Sequence, residues 1–90
     1  MSYQIRIEKR AIKEMKILPN EDQVRIKEKV RSILMENPYP TGKNDVKKIL
    51  GSKFWRLRVG DYRVFFDIDE EEKIVYILSI RHRSKAYREL

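Results

Sequence analysis

Residues 53–87 read KFWRLRVGDYRVFFDIDEEEKIVYILSIRHRSKAY, and this stretch decides the fold. Trp55, Leu57 and Val59 alternate with Phe54, Arg56 and Arg58, the period of two that belongs to a strand with one buried face. Gly60 and Asp61 make a tight reversal, after which Tyr62, Val64, Phe66 and Ile68 alternate with Arg63, Phe65 and Asp67. The run DIDEEEK reads as a solvated acidic turn, and Ile74 to Ile80 as a third strand. Connections this short join antiparallel neighbours, so the expectation is a three-stranded antiparallel meander. The parity opposite the apolar stripe carries Arg56, Arg58, Arg63, Phe65, Ser79 and Arg81. Long cations standing there, with their stems on Phe65, Val75 and Ile77, predict a shallow, basic and partly aromatic groove on the open face. Residues 81–90 are expected to leave the sheet as a tail or helical turn.

Upstream, Ser2 to Ile7 alternates as a short strand, with Tyr3, Ile5 and Ile7 on one side. Ala11, Ile12, Met15 and Leu18 follow helical spacing across Lys9 to Leu18, and Pro19 closes that segment by disfavouring helical geometry at the residue before it. Asn20 is placed to cap a second helix, with Gln23 as reciprocal partner in a capping box. Ile26, Val30, Ile33 and Leu34 form that helix's apolar stripe, and Asn37 and Pro38 mark its stop. Two helices joined at one proline make a helical hairpin. Residues 38–51, punctuated by Pro40, Gly42 and Gly51, read as a loop crossing to the sheet. The resulting fold class is α+β: an N-terminal strand, a helical hairpin and the three-stranded meander, with the helices packed on one face of the sheet.

Ninety residues with 41% hydrophobic content suffice for one core, so residues 1–90 are expected to form one domain. Twenty-one Lys and Arg against fourteen Asp and Glu give a net charge of +7, which suits nucleic acid, an acidic protein or both as partners and by itself identifies none of them. The charge is segregated: residues 81–90 hold four cations and one anion, and residues 67–72 hold five anions and no cation. Absence of cysteine removes disulfides, thiolate nucleophiles and Cys-based zinc sites. With His82 the only histidine and no nucleophile-elbow signature, a serine hydrolase has little to build on. No apolar run reaches the roughly 20 residues of a membrane span, and the start lacks the apolar block of a secretory signal. A cytoplasmic protein without membrane contact is expected.

The early strand, the two helices with Leu18-Pro19 between them, the motif WRLRVGDYRVFF (55–66) and the terminal HRSKAY (82–87) together resemble the RelE/ParE superfamily of bacterial and archaeal toxins. The likeness covers nearly the whole chain, a RelE-like toxin domain over 1–90, and leans to the RelE branch. That resemblance implies a toxin of a type II toxin–antitoxin system: a ribosome-dependent endoribonuclease (mRNA interferase) that cleaves mRNA in the A site and inhibits translation. It implies no metal or other cofactor, because the RNA 2′-hydroxyl itself attacks the adjacent phosphate.

The same resemblance implies the roles. Arg63 holds the scissile phosphate, Arg81 assists the leaving oxygen, and Tyr87 stacks on or orients the nucleotide. Arg56 matches one of two basic strand positions, whereas Phe54 occupies the other. Arginine is a poor proton acceptor, so His82 is the candidate base near neutral pH. Lys53, Arg58, Arg83, Lys85 and Arg88 are expected to attract RNA phosphates. Expected partners are a cognate RelB-like antitoxin and the ribosome carrying mRNA, with no direct DNA binding by the chain alone. The alternatives are a ParE-like inhibitor of DNA gyrase without nuclease activity and a noncatalytic RNA-binding protein.

Overall fold

The computed structural model describes residues 2–86, and its alternating segments form one five-stranded sheet. Along the chain come β1 (Gln4–Ile7), α1 (Lys9–Lys16), α2 (Asn20–Lys29) with a π-helical turn continuing it (Val30–Leu34), β2 (Val46–Lys48), β3 (Trp55–Val59), β4 (Tyr62–Asp69), β5 (Ile74–His82) and a 3-10 turn (Arg83–Lys85). The spatial order is β1-β5-β4-β3-β2, with β1 parallel to β5 and the other pairs antiparallel. The α+β architecture matches the expectation, and the sheet gains a strand inside the segment read as a crossing loop. Within β2 only Val46 is buried, so a three-residue edge strand leaves too short an alternation to register as one.

Gly60, at φ 56°, opens the two-residue turn between β3 and β4, where Val59 faces Tyr62. A left-handed first position matches the twist of the flanking strands, and glycine adopts it without strain. Ala11 and Met15 of α1, Ile26 of α2, and Val30 and Leu34 of the following turn pack on Leu57, Val59, Val64, Phe66, Val75, Ile77 and Ile80 of the sheet. The two helices therefore cover one face, and the core lies between them and the sheet.

β5 keeps Arg81 and His82 in the sheet, where the tail was expected to begin, and three further local expectations are corrected. The capping box does not form: Pro19 is the N-cap, with no side-chain cap bond, and the Gln23 amide instead donates to the Leu18 carbonyl at 2.9 Å. The acidic turn is not simply solvated, because Glu70 accepts hydrogen bonds from the hydroxyls of Tyr3 at 2.8 Å and Tyr39 at 2.7 Å and pairs with Lys73. It ties the N-terminal strand and the loop after α2 to the β4–β5 turn. Val75 and Ile77, expected beneath the cations, belong to the core. The reason is a register shift: Phe66 faces Ile77 while Phe65 faces Ser79, leaving Leu78 as the extra residue of a β-bulge. A bulge changes which side chains reach each face further along a strand.

Candidate functional site

The open face of the sheet brings the predicted arginines into a row. Arg58 on β3 faces Arg63 on β4, and Arg63 faces Arg81 on β5. Adjacent strands lie about 4.8 Å apart, so the row crosses roughly 10 Å of sheet. The neighbouring row on the same face runs Lys47, Arg56, Phe65 and Ser79. Lys47 escaped the sequence reading because its strand was taken for loop; the only available signal was the short Val46-Lys47-Lys48 alternation beside Gly51.

Like charges placed directly across a sheet destabilise it, and each arginine is held by a different device. Arg58 donates from Nη2 to Asp45 Oδ1 at 3.2 Å. The same carboxylate takes Lys29 Nζ at 2.5 Å, and the Lys29 hydrogen bond, partly countered by burial, holds Asp45 below the usual carboxylate range. Arg63 Nη1 donates to the carbonyls of Gly60 and Tyr62, both at 3.0 Å, which fixes its guanidinium beside the β3–β4 turn. Arg81 donates from Nε to Ser79 Oγ at 2.9 Å and lies 5.8 Å from the Phe65 ring centroid. The aromatic part of the predicted groove differs from expectation: Phe65 has 0% exposure, so it is the floor under Arg81 and presents no open platform for a base. Arg81 itself is 9% exposed.

The other predicted residues are distributed around this face. Arg56 is half-buried at its centre. Lys53 is exposed, sits 3.5 Å from Asp67 and lies over the Phe54 ring at 5.6 Å. Arg83 is exposed and 3.7 Å from Asp61. Lys85 lines an open pocket of about 410 Å³ whose wall also includes Glu14, Tyr62, Arg81 and His82. Tyr87 and Arg88 lie outside the described residues.

His82 does not join the arginine row. It faces Tyr62 across β4–β5, one residue past Arg81 and so on the opposite parity, and its ring meets Tyr62 edge-on at 5.7 Å. Tyr62 in turn donates to Asp22 of α2 at 3.1 Å, which marks that side as the helical one. Nδ1 of His82 accepts the Ser84 backbone N–H at 3.2 Å and lies 3.0 Å from Ser84 Oγ, capping the 3-10 turn. His82 also lines the pocket shared by Arg81 and Lys85.

Trp55 packs against the core, with its ring T-shaped to Tyr39 at 5.5 Å, as its parity predicts. Among the described residues, no helix is long and apolar enough to cross a membrane. Among the same residues, no group of three or more His, Asp or Glu side chains is gathered closely enough to hold a metal ion.

Comparison with known proteins agrees with this fold. The profile described as the ParE toxin of the type II toxin–antitoxin system parDE matches residues 5–87. A Methanocaldococcus jannaschii protein carrying the name RelE1 is 34% identical over 89 residues, 98% of either chain. The crystal structure of an archaeal RelE–RelB complex from Pyrococcus horikoshii OT3 contains a chain 35% identical to this one, with a TM-score of 0.78 over 96% of this chain and 100% of that one. The RelBE2 toxin–antitoxin complex of Mycobacterium tuberculosis matches at 26% identity with a TM-score of 0.78, covering 92% of this chain and 100% of that one.

Proposed function

This chain belongs to the ParE toxin family of type II toxin–antitoxin systems, within the RelE/ParE superfamily, and on that premise we propose that it is a ribosome-dependent endoribonuclease that cuts mRNA in the A site. The observation that carries the proposal is the cross-strand row Arg58, Arg63, Arg81. Three cations set side by side against their mutual repulsion have their best use on a phosphodiester, where negative charge grows during reaction.

In the proposed reaction the 2′-hydroxyl of the upstream nucleotide gives its proton to solvent water and attacks the adjacent phosphorus. The bond from phosphorus to the 5′-oxygen breaks, and that oxygen takes up a proton from water. The products are a 2′,3′-cyclic phosphate and a 5′-hydroxyl. Arg63, fixed by two carbonyls at the turn, holds the phosphate and balances the phosphorane. Arg81, on the next strand, faces the leaving oxygen. Arg56 in the adjacent row grips a neighbouring phosphate, and Tyr87 orients the nucleotide. Arginine remains protonated throughout, so these groups act by charge and position. His82 anchors the turn that leads to Tyr87. Lys53, Arg58, Arg83, Lys85 and Arg88 draw in the RNA backbone, and no metal or other cofactor takes part.

The relatives crystallised with RelB support a cognate RelB-like antitoxin as partner, and acidic side chains on it would complement the arginine row. The toxin acts in the cytoplasm on ribosomes with an open A site and has no direct contact with DNA. A second reading, inhibition of DNA gyrase, is favoured by the ParE name of the matching profile. The two separate on programmed ribosomes with an open A site, using EDTA-treated protein while keeping the magnesium the ribosome needs. The nuclease reading expects a site-specific cut that slows by about 10²–10³-fold, to a residual measurable rate, in folded Arg63→Ala and Arg81→Ala proteins. Intact mRNA with the wild-type protein, together with inhibited supercoiling, would establish the gyrase reading instead.

A further inference from the structure

β1 pairs with β5 only as far as Ile7 and Ile77, so beyond the bulge the outer edge of β5 has lost its strand neighbour. There α1 takes over. Glu14 Oε1 accepts the Ile80 backbone N–H at 2.9 Å and the Ser79 hydroxyl at 2.8 Å, with Oε2 at 3.1 Å from the same hydroxyl. Arg10 lies one helical turn away, 3.5 Å from Glu14 Oε2. A carboxylate only accepts, so the Ser79 proton must point at Glu14. A hydroxyl that has spent its proton offers lone pairs on its other side. That side faces Arg81, whose Nε donates to Ser79 Oγ at 2.9 Å. The chain of donors is therefore one-directional: Arg81 to Ser79 to Glu14.

We propose that Glu14 and Ser79 are positioning residues for Arg81: the carboxylate on α1 sets the direction of the Ser79 hydroxyl, and the hydroxyl fixes the plane of the guanidinium against Phe65. The proposal rests on the nuclease reading above. Ser79 is 3% exposed and Arg81 mostly buried, so the contacts work where water competes poorly and a charge-assisted hydrogen bond is at its strongest. Arg81 has a long, rotamer-rich side chain, and an arginine meeting a leaving oxygen must arrive in one orientation. The bulge at Leu78 makes this arrangement available. It returns Ser79 and Arg81 to the open face after Ile77 has pointed into the core, and it coincides with the end of β1, where α1 can reach the strand.

A purely structural role for Glu14, satisfying the Ile80 N–H at a bare edge, is separable from positioning because Ser79→Ala removes the link to Arg81 and leaves the Glu14–Ile80 bond in place. On programmed ribosomes, Ser79→Ala is expected to lower the single-turnover cleavage rate about tenfold with ribosome affinity unchanged, in a protein that stays folded with a lowered urea midpoint because Arg81 and Glu14 each lose a partner. Ser79→Thr, which keeps the hydroxyl, should restore most of the rate. In an Arg81→Ala background, Ser79→Ala should cause no further loss, since the two residues act as a unit. Independently of activity, the Arg81 Nε–H signal in a 1H–15N spectrum should be protected from exchange in wild type and lose protection in Ser79→Ala and Glu14→Ala. Cleavage by Ser79→Ala at the wild-type rate, or an equal loss with and without Arg81, would overturn the positioning role while leaving the nuclease reading intact. A wild-type protein that cuts no mRNA would sink both.

Discussion

Two rows of side chains, one residue apart on the same three strands, have opposite character. Leu57, Val64 and Ile80 face one another across β3, β4 and β5 at 0%, 0% and 4% exposure. The next row along is Arg58, Arg63 and Arg81. The first row follows from the hydrophobic effect alone, since each member loses water and gains neighbours. The second opposes folding, since each arginine stands beside another. The fold offsets that repulsion with Asp45, the carbonyls of Gly60 and Tyr62, and Ser79. A sheet can thus hold a concentrated positive field in place when its reverse side supplies the stability.

The comparison breaks most severely from the apolar side. Leu57→Ala should destabilise the protein by about 2–5 kcal/mol through lost transfer energy and a residual cavity, read as a lowered urea midpoint. A loss below 1 kcal/mol would mean that the core row does not carry the sheet. On the charged side, Arg63→Ala should reduce cleavage by about 10²–10³-fold while stability changes by less than about 1 kcal/mol. Parallel collapse of activity and stability would reduce Arg63 to a structural residue.

Differences inside the charged face are smaller. Removing Arg56 should flatten the plot of log affinity for single-stranded RNA against log salt by about 0.7. Arg58→Ala should flatten it less, because Asp45 already balances part of that charge; a larger change for Arg58 would contradict the assignment. The weakest effect concerns pH. Asp45 is held below its ordinary range in the fold, so its contribution is complete above the unfolded carboxylate value of about 4 and is lost as pH falls through the lower folded value. Urea midpoints of wild type and Asp45→Asn should therefore converge as pH falls below the ordinary carboxylate range, and a gap that widens on acidification would reverse the sign.

Much of this was legible in the sequence because β3 and β4 keep strict alternation. Arg56, Arg58 and Arg63 fall on the open face by counting, and Gly60 announces the turn that sets them in register. Counting failed on β5. A period of two through Val75, Ile77, Ser79 and Arg81 puts all four on one face, whereas the bulge at Leu78 sends the first two into the core and the last two to the site. The spacing of Ile77 and Ile80 was the available clue. His82 was named as the candidate base near neutral pH, and its parity places it beside Tyr62, next to the arginine row and not in it. Glu14 gave no local signal, since its partners are 65 and 66 residues away.

The central claim is that these cations stabilise attack by the RNA's own 2′-hydroxyl, and the most direct test is the chemistry of the severed ends. Messenger RNA cut on ribosomes by the purified protein should carry a 2′,3′-cyclic phosphate on the upstream fragment and a free 5′-hydroxyl on the downstream one. A 3′-hydroxyl and a 5′-phosphate would mean that water, activated by some other group, was the nucleophile, and would contradict the account.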